Sequence, residues 1–564
     1  MKTLLKNGNV VNVFTGELQK ANVLFEDGVI LGVGDYAESE ADFVEDISGK
    51  FVCPGFIDGH IHIESSMLLP QELVRVALPH GTTAMVTDPH EIANVCGKEG
   101  ISYMLAASEG LPMDVFVMLP SCVPATPTDE SGAVLEAADL EEFYAKARVL
   151  GLAEMMNYPG VLFEDKAVLE KIRRAKLHGK KINGHAPLLS GKDLDRYIAA
   201  GIYDDHECSN FEEAAERIRK GQWVMIRQGT AARNLEGLID LFEPPFSSRC
   251  LLVTDDKCPA DILNDGHIDA IIRRAGALGK NVITGIQMAT IQAAHCFGLS
   301  GVGAVAPGYA ADLLVLDDLA EVLVGAVYKN GVKVAENGRA LPFALPQVDE
   351  KLSLVVRGSF NMDATSREDF LLPYEGKETC RVIGLIKGQL LTEELHETID
   401  FSQNNGIDVS GNLAKIAVLE RHHKTGHIGL GFVKGLCMQS GAIASSVSHD
   451  SHNLIVAGVC EADMSVAANR ILELGGGLVV VKNGEILAEL PLPYGGLMSD
   501  EKAETVAQKD EAVRSAVVHL GVPQDVQPFM TTAFVSLSVI PHLKMTTRGL
   551  INVDRQELVD FLVK

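Results

Sequence analysis

Between residues 51 and 299, short apolar runs alternate with longer stretches whose hydrophobic positions recur at helical spacing. Apolar runs of this length predict buried strands, and the amphipathic stretches between them, such as EDKAVLEKIRRAKLHG, predict surface helices. Eight runs have this character: GFIDGHI (55–61), TTAMVTDP (82–89), DVFVMLPS (114–121), GLAEMM (151–156), KINGHAP (181–187), IYDDHE (202–207), WVMIRQG (223–229) and LLVTDD (251–256). Eight strand-then-helix units predict an α/β fold with a (β/α)8 barrel, although a doubly wound open sheet would give the same alternation.

The segments on both sides of this region have a different pattern. They run apolar or alternate apolar and polar residues at strand spacing, with Asn-Gly and Asp-Gly pairs that mark hairpins. We therefore expect one small β-sandwich that is built from both flanks, residues 1–50 and 300–340. After a linker with two prolines at 341–353, strands and helices mix again. That pattern predicts a separate C-terminal α+β domain over residues 354–564.

Side chains that can bind metal stand at the ends of five of the apolar runs. They are His60 and His62 at the first run, Glu154 in the fourth, His185 in the fifth, His206 in the sixth and Asp255 in the eighth. His60 and His62 are two residues apart, so they project from the same side of an extended strand. Because the carboxyl ends of barrel strands converge on one face, we expect these six side chains to share one mouth. Each alone is more commonly a capping, turn or core residue, but six in register indicate one site.

The residue types of this set indicate the chemistry. Imidazole and carboxylate ligands without a thiolate suit two divalent ions of intermediate hardness, namely Zn²⁺, Mn²⁺ or Fe²⁺. Two cations about 3.5–4 Å apart need an anionic bridge, which Glu154 can supply. Such a pair of ions lowers the pKa of a bound water from 15.7 towards about 7. The sequence therefore predicts metal-assisted hydrolysis at a carbon that is bonded to oxygen or nitrogen.

The overall charge and the cysteines limit the partners and the compartment. Forty-nine Lys and Arg residues stand against 76 Asp and Glu residues, for a formal charge of -27, which argues against nucleic acid or an anionic membrane as a partner. The ten cysteines are scattered without a C-x-x-C pair, as expected in a reducing compartment. The N-terminal apolar run is too short for a signal peptide, and no run of about 20 apolar residues could span a bilayer. We expect a cytoplasmic protein.

Several quoted motifs resemble known enzymes. PGFIDGHIHIE after a β-rich leader, followed by GHA, DHE and TDD, resembles the amidohydrolase superfamily of metal-dependent hydrolases over about residues 1–340. EMMNYPGV, INGHAPLLSG, DDHECSNFEEA and the later SHDSHNL resemble the bacterial adenine deaminases over nearly the whole chain. This resemblance divides the implied ligands into two groups with one bridging carboxylate: His60, His62 and Asp255 for one metal ion, His185 and His206 for the other, and Glu154 between them. Many members of the superfamily have a carboxylated lysine in place of Glu154.

The same resemblance implies a reaction. Adenine, a small-molecule partner, would react with water to give hypoxanthine and ammonia in purine salvage. Asp255, Glu154 and Glu207 are the expected catalytic residues, with Asp255 accepting the proton of the attacking hydroxide. Two divalent ions per chain are implied, with Mn²⁺ or Fe²⁺ favoured and Zn²⁺ also compatible. Family habit implies a homodimer or a higher homo-oligomer.

Other polar residues could contact the substrate or hold a further metal ion. Asp88, His90 and Glu91 follow the second run, where a helix cap and a solvated turn are an alternative interpretation. His449 and His452 open a predicted strand of the C-terminal domain, where they are either surface residues or substrate contacts.

Two further candidates adjoin the predicted ligands. Arg227 closes the seventh run and either faces the pocket or pairs with a carboxylate. Asp256 follows Asp255, and Glu207 follows His206. Each of the two either contacts the substrate or supports the neighbouring ligand.

Two other functions stay open on the sequence alone. One is another cyclic amide or amidine hydrolase of the superfamily, similar to dihydroorotase or guanine deaminase. The other is a non-catalytic scaffold with the same fold, which the presence of all six ligand residues disfavours.

Overall fold

The structure is a computed structural model that describes residues 1–230, 232–387 and 389–563. Its contacts divide the chain into two compact units. Unit 1 contains Met1–Pro89, Met104–Ser121 and Ala137–Gln347, and unit 2 contains His90–Tyr103, Cys122–Glu136 and Val348–Lys564. None of the helices in the described ranges combines the length and the apolar character that crossing a bilayer requires.

Unit 1 contains two kinds of sheet, which use seventeen strands. The strands are β1 (Thr3–Asn12), β2 (Glu17–Glu26), β3 (Val29–Gly34), β4 (Phe43–Asp46), β5 (Phe51–Pro54), β6 (Phe56–Ile61), β7 (Thr82–Thr87), β8 (Asp114–Leu119), β9 (Val149–Met155), β10 (Lys181–Gly184), β11 (Asp204–Asp205), β12 (Trp223–Arg227), β13 (Cys250–Val253), β14 (Leu313–Asp318), β15 (Leu323–Lys329), β16 (Val332–Glu336) and β17 (Arg339–Ala340).

The first sheet joins both flanks of the chain. Nine strands form it, in the order β17-β16-β15-β14-β5-β1-β2-β3, with β4 also paired to β1. Strand β5 runs antiparallel to β14, with Val52 opposite Val315, and Val23, Ile30 and Leu313 pack in its core. Both flanks of the chain contribute strands to this one hydrogen-bonded sheet, because β5 pairs with both β1 and β14.

Strands β6 to β13 are parallel, and each lies within or beside one of the eight predicted runs. They form a five-stranded sheet, in the order β10-β9-β8-β7-β6, and a three-stranded sheet, β11-β12-β13. An isolated bridge between Ile61 and Asp255 links the end of β6 to the residue after β13. Ile57, Val86, Ala153 and Val253 belong to one core cluster between these strands.

Ten helices begin within the region of these parallel strands. They are α1 (Pro70–Ala77), α2 (His90–Ala107), α3 (Tyr158–Leu162), α4 (Lys166–Leu177), α5 (Gly191–Ala199), α6 (Phe211–Arg219), α7 (Pro259–Asn264), α8 (Ile268–Ala277), α9 (Val282–Gln287) and α10 (Ala293–Phe297). Side-chain caps begin four of them, α3, α4, α6 and α9; at α4, for example, Asp165 accepts the N–H groups of Ala167 and Val168.

The prediction that a helix follows every strand is wrong at two places. In the described residues between β8 and β9, and between β12 and β13, the structure has only short 3-10 turns. Pro124 and Pro127 interrupt the first connection, and the pair Pro244 and Pro245 interrupts the second. Proline removes a backbone donor and clashes with the preceding turn, so neither connection can sustain an α-helix there.

Unit 2 contains a mixed sheet of eight strands, a separate sheet of three strands, β26-β27-β28, and the four remaining helices. The strands are β18 (Lys377–Leu385), β19 (Thr392–Asp400), β20 (Leu413–Leu419), β21 (Ile428–Lys434), β22 (Ala442–Ser445), β23 (Leu454–Gly458), β24 (Gly477–Lys482), β25 (Glu485–Pro491), β26 (Leu543–Thr546), β27 (Gly549–Asn552) and β28 (Glu557–Leu558). The helices are α11 (Glu350–Arg357), α12 (Glu461–Leu474), α13 (Ala503–Ala516) and α14 (Pro528–Ala533).

The large sheet of unit 2 has eight strands, in the order β19-β18-β21-β20-β23-β22-β24-β25. Met464, Ala468 and Ile471 of α12 pack on Val456 and Val479 of this sheet. The α+β prediction for the C-terminal region agrees with this arrangement. The predicted linker 341–353 overlaps α11, because Asp349 accepts the N–H groups of Lys351 and Leu352 and caps that helix.

A buried ion pair in unit 1 leads to a stability prediction. The Nζ of Lys329 lies 2.7 Å from Asp312 and 2.6 Å from Asp114, and Lys329 and Asp312 are both buried. Lys329→Met would leave the Asp312 carboxylate without its cation, so we expect unfolding to cost about 3–5 kcal/mol less. Urea unfolding followed by far-ultraviolet circular dichroism measures this change. The control is Lys333→Met, which breaks a more exposed pair with Glu45 and should change stability by about 1 kcal/mol or less; equal losses in both variants would contradict the prediction.

Candidate metal centre

The first group of predicted ligands is brought together by pairing of two strand ends. The N–H of Asp255 donates to the carbonyl oxygen of His60 at 2.9 Å, and the N–H of His62 donates to that of Asp255 at 3.4 Å. The Oδ1 of Asp255 lies 3.5 Å from Nε2 of His60 and 3.2 Å from Nε2 of His62. All three side chains are buried, and their ligand atoms are close enough to hold one metal ion.

Glu154, on β9, points its two carboxylate oxygens at two different pairs of histidines. Oε1 lies 3.2 Å from Nε2 of His62 and 3.9 Å from Nε2 of His60. Oε2 lies 2.6 Å from Nδ1 of His185 and 3.2 Å from Nε2 of His206. One oxygen towards each pair is the geometry of a carboxylate that can bridge two metal ions.

The second pair of histidines follows β10 and β11. Nδ1 of His185 lies 3.3 Å from Nε2 of His206. The ring of His206 also stacks on that of His60, with 4.4 Å between centroids and 22° between planes. The two ligand groups are therefore adjacent, and the structure brings together all six side chains that the strand ends predict.

The charges at this centre favour cations. Burial would raise the pKa of Glu154, but His206 and His185 hold that pKa well below its usual range. Burial would also raise the pKa of Asp255, but the Arg227 guanidinium and the neighbouring histidines hold it well below its usual range. Both carboxylates are therefore ionised at neutral pH, the form that binds a metal ion.

The hydrogen bonds of the histidines also fit metal ions. Nδ1 of His62 donates to the carbonyl oxygen of Asp88 at 3.0 Å, so Nε2, which faces Glu154 and Asp255, is the nitrogen that would bind a metal ion in place of a proton. Nε2 of His60 is buried and has no hydrogen-bond partner in the described part of the chain. These nitrogens beside two ionised carboxylates form a donor set for divalent ions of intermediate hardness.

Arg227, at the end of β12, connects two carboxylates. Its Nη1 donates to Oε1 of Glu207 at 2.5 Å and to Oδ2 of Asp255 at 2.7 Å, and its Nη2 donates to Oε2 of Glu207 at 3.1 Å. Of the two roles considered for Arg227, the structure supports the ion pair. Oε1 of Glu207 also lies 3.5 Å from Nδ1 of His185 and 3.3 Å from Nε2 of His206, so Glu207 belongs to the same centre.

Asp256 and Asp88 adjoin the centre in different ways. The hydroxyl of Ser65 donates to Oδ1 of Asp256 at 2.5 Å, which ties the residue after Asp255 to the turn that follows His62. A carboxylate oxygen of Asp88 lies within 4.8 Å of the ligand atoms of His62 and Glu154. Asp88 thus supports His62 through its carbonyl oxygen and places a negative charge beside it.

The remaining candidates lie in unit 2, where the structure joins two sets that the sequence keeps apart. Oε1 of Glu91 lies 2.8 Å from Nδ1 of His449 and 3.6 Å from Nε2 of His90, and its Oε2 contacts Nε2 of His452. The ring of His449 stacks on Phe534, with 4.5 Å between centroids. These residues form a buried cluster around one carboxylate.

Two residues of the centre are not among the sequence predictions. The carboxylates of Asp58 and Asp204 are fully buried beside the ligand-bearing strand ends. Each stands two residues before a predicted histidine ligand, in IDGH and DDH. That shared Asp-X-His spacing was a signal available in the sequence.

The models of two known protein families match separate parts of this chain. Residues 51–341 match the model of the amidohydrolase family. Residues 389–557 match the adenine deaminase C-terminal domain. The first match covers the parallel strands and β14 to β17 of the flanking sheet, and the second covers β19 to β27 of unit 2.

Individual relatives match over nearly their full lengths. Adenine deaminase 2 of Carboxydothermus hydrogenoformans is 45% identical over 99% of this chain and 96% of its own length. The adenine deaminase of Desulfatibacillum aliphaticivorans is 44% identical, over 98% of this chain and 95% of the relative. The adenine deaminase of Halalkalibacterium halodurans is 41% identical, over 99% of this chain and 95% of the relative.

The first prediction for this centre concerns metal content. We expect the purified protein to carry about two divalent ions per chain, because two groups of ligands flank Glu154. Elemental analysis of protein expressed in medium with Mn²⁺ and Fe²⁺, alongside an activity assay before and after chelation, measures this. Full activity at less than one ion per chain would contradict a centre of two ions.

The second prediction isolates the Glu154 charge. Glu154→Gln keeps the side-chain volume but removes the negative charge between the two histidine pairs, so we expect metal affinity to fall by about 10–100-fold or more, and activity with it. Metal titration of the chelator-treated variant measures this change. Glu72→Gln, a change at a buried glutamate that pairs with Arg75 on α1, should leave metal binding unchanged; wild-type metal affinity in the Glu154 variant would show that it is not the bridge.

Proposed function

This chain belongs to the amidohydrolase family and, within it, to the adenine deaminases, and we propose that it hydrolyses adenine to hypoxanthine and ammonia. The observation that carries the proposal is Glu154, whose two oxygens face one histidine pair each. This arrangement occurs in a chain whose C-terminal region matches the adenine deaminase domain. The relatives at 41–45% identity over nearly the whole chain are named as adenine deaminases.

We propose the following ligands for two divalent ions, in line with the donor geometry. His60, His62 and Asp255 hold one ion, His185 and His206 hold the other, and Glu154 bridges them. The donor set suits Mn²⁺, Fe²⁺ or Zn²⁺. When bound, the ions would supply a nucleophilic hydroxide at neutral pH.

The residues of the chain then handle protons and orientation. In the proposed reaction, hydroxide attacks C6 of adenine and forms a carbon–oxygen bond. The carbon–nitrogen bond to the amino group then breaks, and ammonia leaves. Asp255 is the proposed proton acceptor and donor, since one of its oxygens is held by Arg227 at 2.7 Å while the other lies beside the histidines. Arg227 fixes the orientation of that carboxylate through its Oδ2, and Glu207 holds Arg227 in turn.

The fold around this centre follows from the same assignment. The five-stranded and three-stranded parallel sheets are proposed as two arcs of one (β/α)8 barrel, with the bridge between Ile61 and Asp255 on its closing side. The flanking sheet and unit 2 correspond to the further domains. A homodimer or higher homo-oligomer is the proposed working form, and the cytoplasm is its proposed location. The ten cysteines form no disulfide, which is consistent with that location.

A neutral purine base suits this centre better than a nucleotide. Adenine is small, flat and uncharged, and a site that reads its edges with buried polar groups rejects analogues that leave those groups unpaired. The guanidinium of Arg227 is engaged by Glu207 and Asp255, so it is not available to a phosphate.

The substrate prediction follows directly. Metal-loaded enzyme should deaminate free adenine, while adenosine, which is bulkier at N9, and adenosine monophosphate should react at least about 100-fold less well in kcat/KM. Ammonia release and the absorbance change from adenine to hypoxanthine measure the rates. Asp255→Asn should abolish the activity and thereby exclude a contaminating enzyme. Turnover of guanine, dihydroorotate or a hydantoin without turnover of adenine would reject the assignment and leave the metal centre intact.

A further inference from the structure

Asp58 ties together the two strand ends that carry the first group of ligands. Its Oδ1 accepts the N–H of His60 at 3.3 Å and the N–H of Thr254 at 3.1 Å. Its Oδ2 accepts the hydroxyl of Thr254 at 2.5 Å. Thr254 immediately precedes Asp255, so one buried carboxylate fixes the backbone next to a ligand on each strand.

Asp204 makes the equivalent contacts for the second group. Its Oδ1 accepts the N–H of Gly184 at 2.9 Å, and its Oδ2 accepts the side-chain amide of Asn183 at 2.5 Å. Gly184 immediately precedes His185, and Asp204 stands two residues before His206. A Cβ on Gly184 would lie 2.2 Å from the carbonyl oxygen of Asp204, so the close approach of these two strands requires glycine here.

The two arrangements follow one rule. In both, a fully buried aspartate stands two residues before a histidine on its own strand. In both, its carboxylate accepts the backbone N–H just before the ligand on the neighbouring strand, together with one further side-chain donor. Neither aspartate supplies a ligand atom to the groups assigned above, so their shared geometry serves the position of the ligands.

We propose that Asp58 and Asp204 are positioning residues, each of which sets the ligand geometry of one metal ion independently of the other. The proposal rests on the ligand assignment in the proposed function. Asp58 would control the ion held by His60, His62 and Asp255, and Asp204 the ion held by His185 and His206. Groups that orient ligands from behind commonly change metal affinity by about 10–100-fold when removed.

The test is a Mn²⁺ titration of chelator-treated protein by equilibrium dialysis with elemental analysis. To read each site alone, it is done in two backgrounds: His206→Ala, which retains the first site, and His60→Ala, which retains the second. We expect Asp58→Ala to weaken Mn²⁺ binding about 10–100-fold in the His206→Ala background and by less than about threefold in the other. Asp204→Ala should show the reverse pattern.

Conservative variants separate positioning from charge. Asp58→Asn and Asp204→Asn retain an oxygen that can accept the backbone N–H groups, so each should restore affinity to within a few-fold of the parent. If an alanine variant fails to fold, Thr254→Val and Asn183→Ala remove only the side-chain donor to each aspartate, and each should cause a smaller loss at the same site.

The matched control is Asp312→Ala. Asp312 is also a buried aspartate that accepts one backbone N–H, from Asn330, and one side-chain donor, from Lys329, but it lies in the flanking sheet. It should lower thermal stability and leave Mn²⁺ binding unchanged. Wild-type Mn²⁺ affinity in both alanine variants, or equal loss at both sites in either, would overturn the proposal. Failure of the ligand assignment would be seen separately, because the parent His206→Ala and His60→Ala proteins would then not bind one Mn²⁺ each.

Discussion

The buried carboxylate of Glu154 is the constraint on which the centre depends. An ionised carboxylate removed from water is strongly unfavourable unless positive charge or donors surround it. Here four imidazole rings supply the surroundings, two for each oxygen. Those rings come from three strand ends, β6, β10 and β11, so the burial of one charge requires the register of these strands to be correct together. The same requirement explains why Asp255 is paired with Arg227 rather than left alone.

Local sequence patterns predict what is local in this fold. Each apolar run contains or adjoins one strand, and His60 and His62 could be assigned to one side of a strand because side chains alternate. The connections after β8 and β12 were predicted as helices because their polar residues fit an amphipathic pattern, whereas Pro124 and Pro245 prevent it. The polar and apolar pattern of these connections favours a helix, but the prolines within them prevent one.

Contacts between distant residues were the part that the sequence could not give. Glu91 lies against His452, 361 residues further along the chain, and Asp58 accepts from Thr254, 196 residues away. No periodicity in the sequence encodes such pairs, because they depend on how distant segments of the chain meet in the folded structure. The six ligands were predictable only because parallel strands place their carboxyl ends at one edge, which converts a position in each strand into a position in space.

Backbone hydrogen bonds distinguish the two histidine clusters of this chain. In unit 1, Nδ1 of His62 must be the donor, since its partner is the carbonyl oxygen of Asp88, so Nε2 is the nitrogen that can bind a metal ion. Burial would lower the pKa of His62, but hydrogen bonds with Asp255 and Glu154 hold it well above its usual range, so without a metal ion Nε2 carries a proton. In unit 2, Nδ1 of His452 accepts the N–H of Ser448 at 3.2 Å. Because burial lowers the pKa of His452 to about 4, the neutral ring carries its one proton on Nε2, which donates to Glu91.

The same combination, two histidines and a glutamate, therefore has different capacities in the two units. The Nε2 proton of His452 is donated to Glu91, so the extra metal ion considered for Glu91, His449 and His452 would have to displace that proton. At Glu154, by contrast, Nε2 of His62 lies 3.2 Å from a carboxylate oxygen, and the other nitrogen of the same ring already donates to a backbone carbonyl oxygen. A metal ion can therefore replace the proton on Nε2 and leave a neutral ring with its remaining proton on Nδ1. The backbone partner of the far ring nitrogen thus determines whether the nitrogen that faces the glutamate can release its proton to a metal ion.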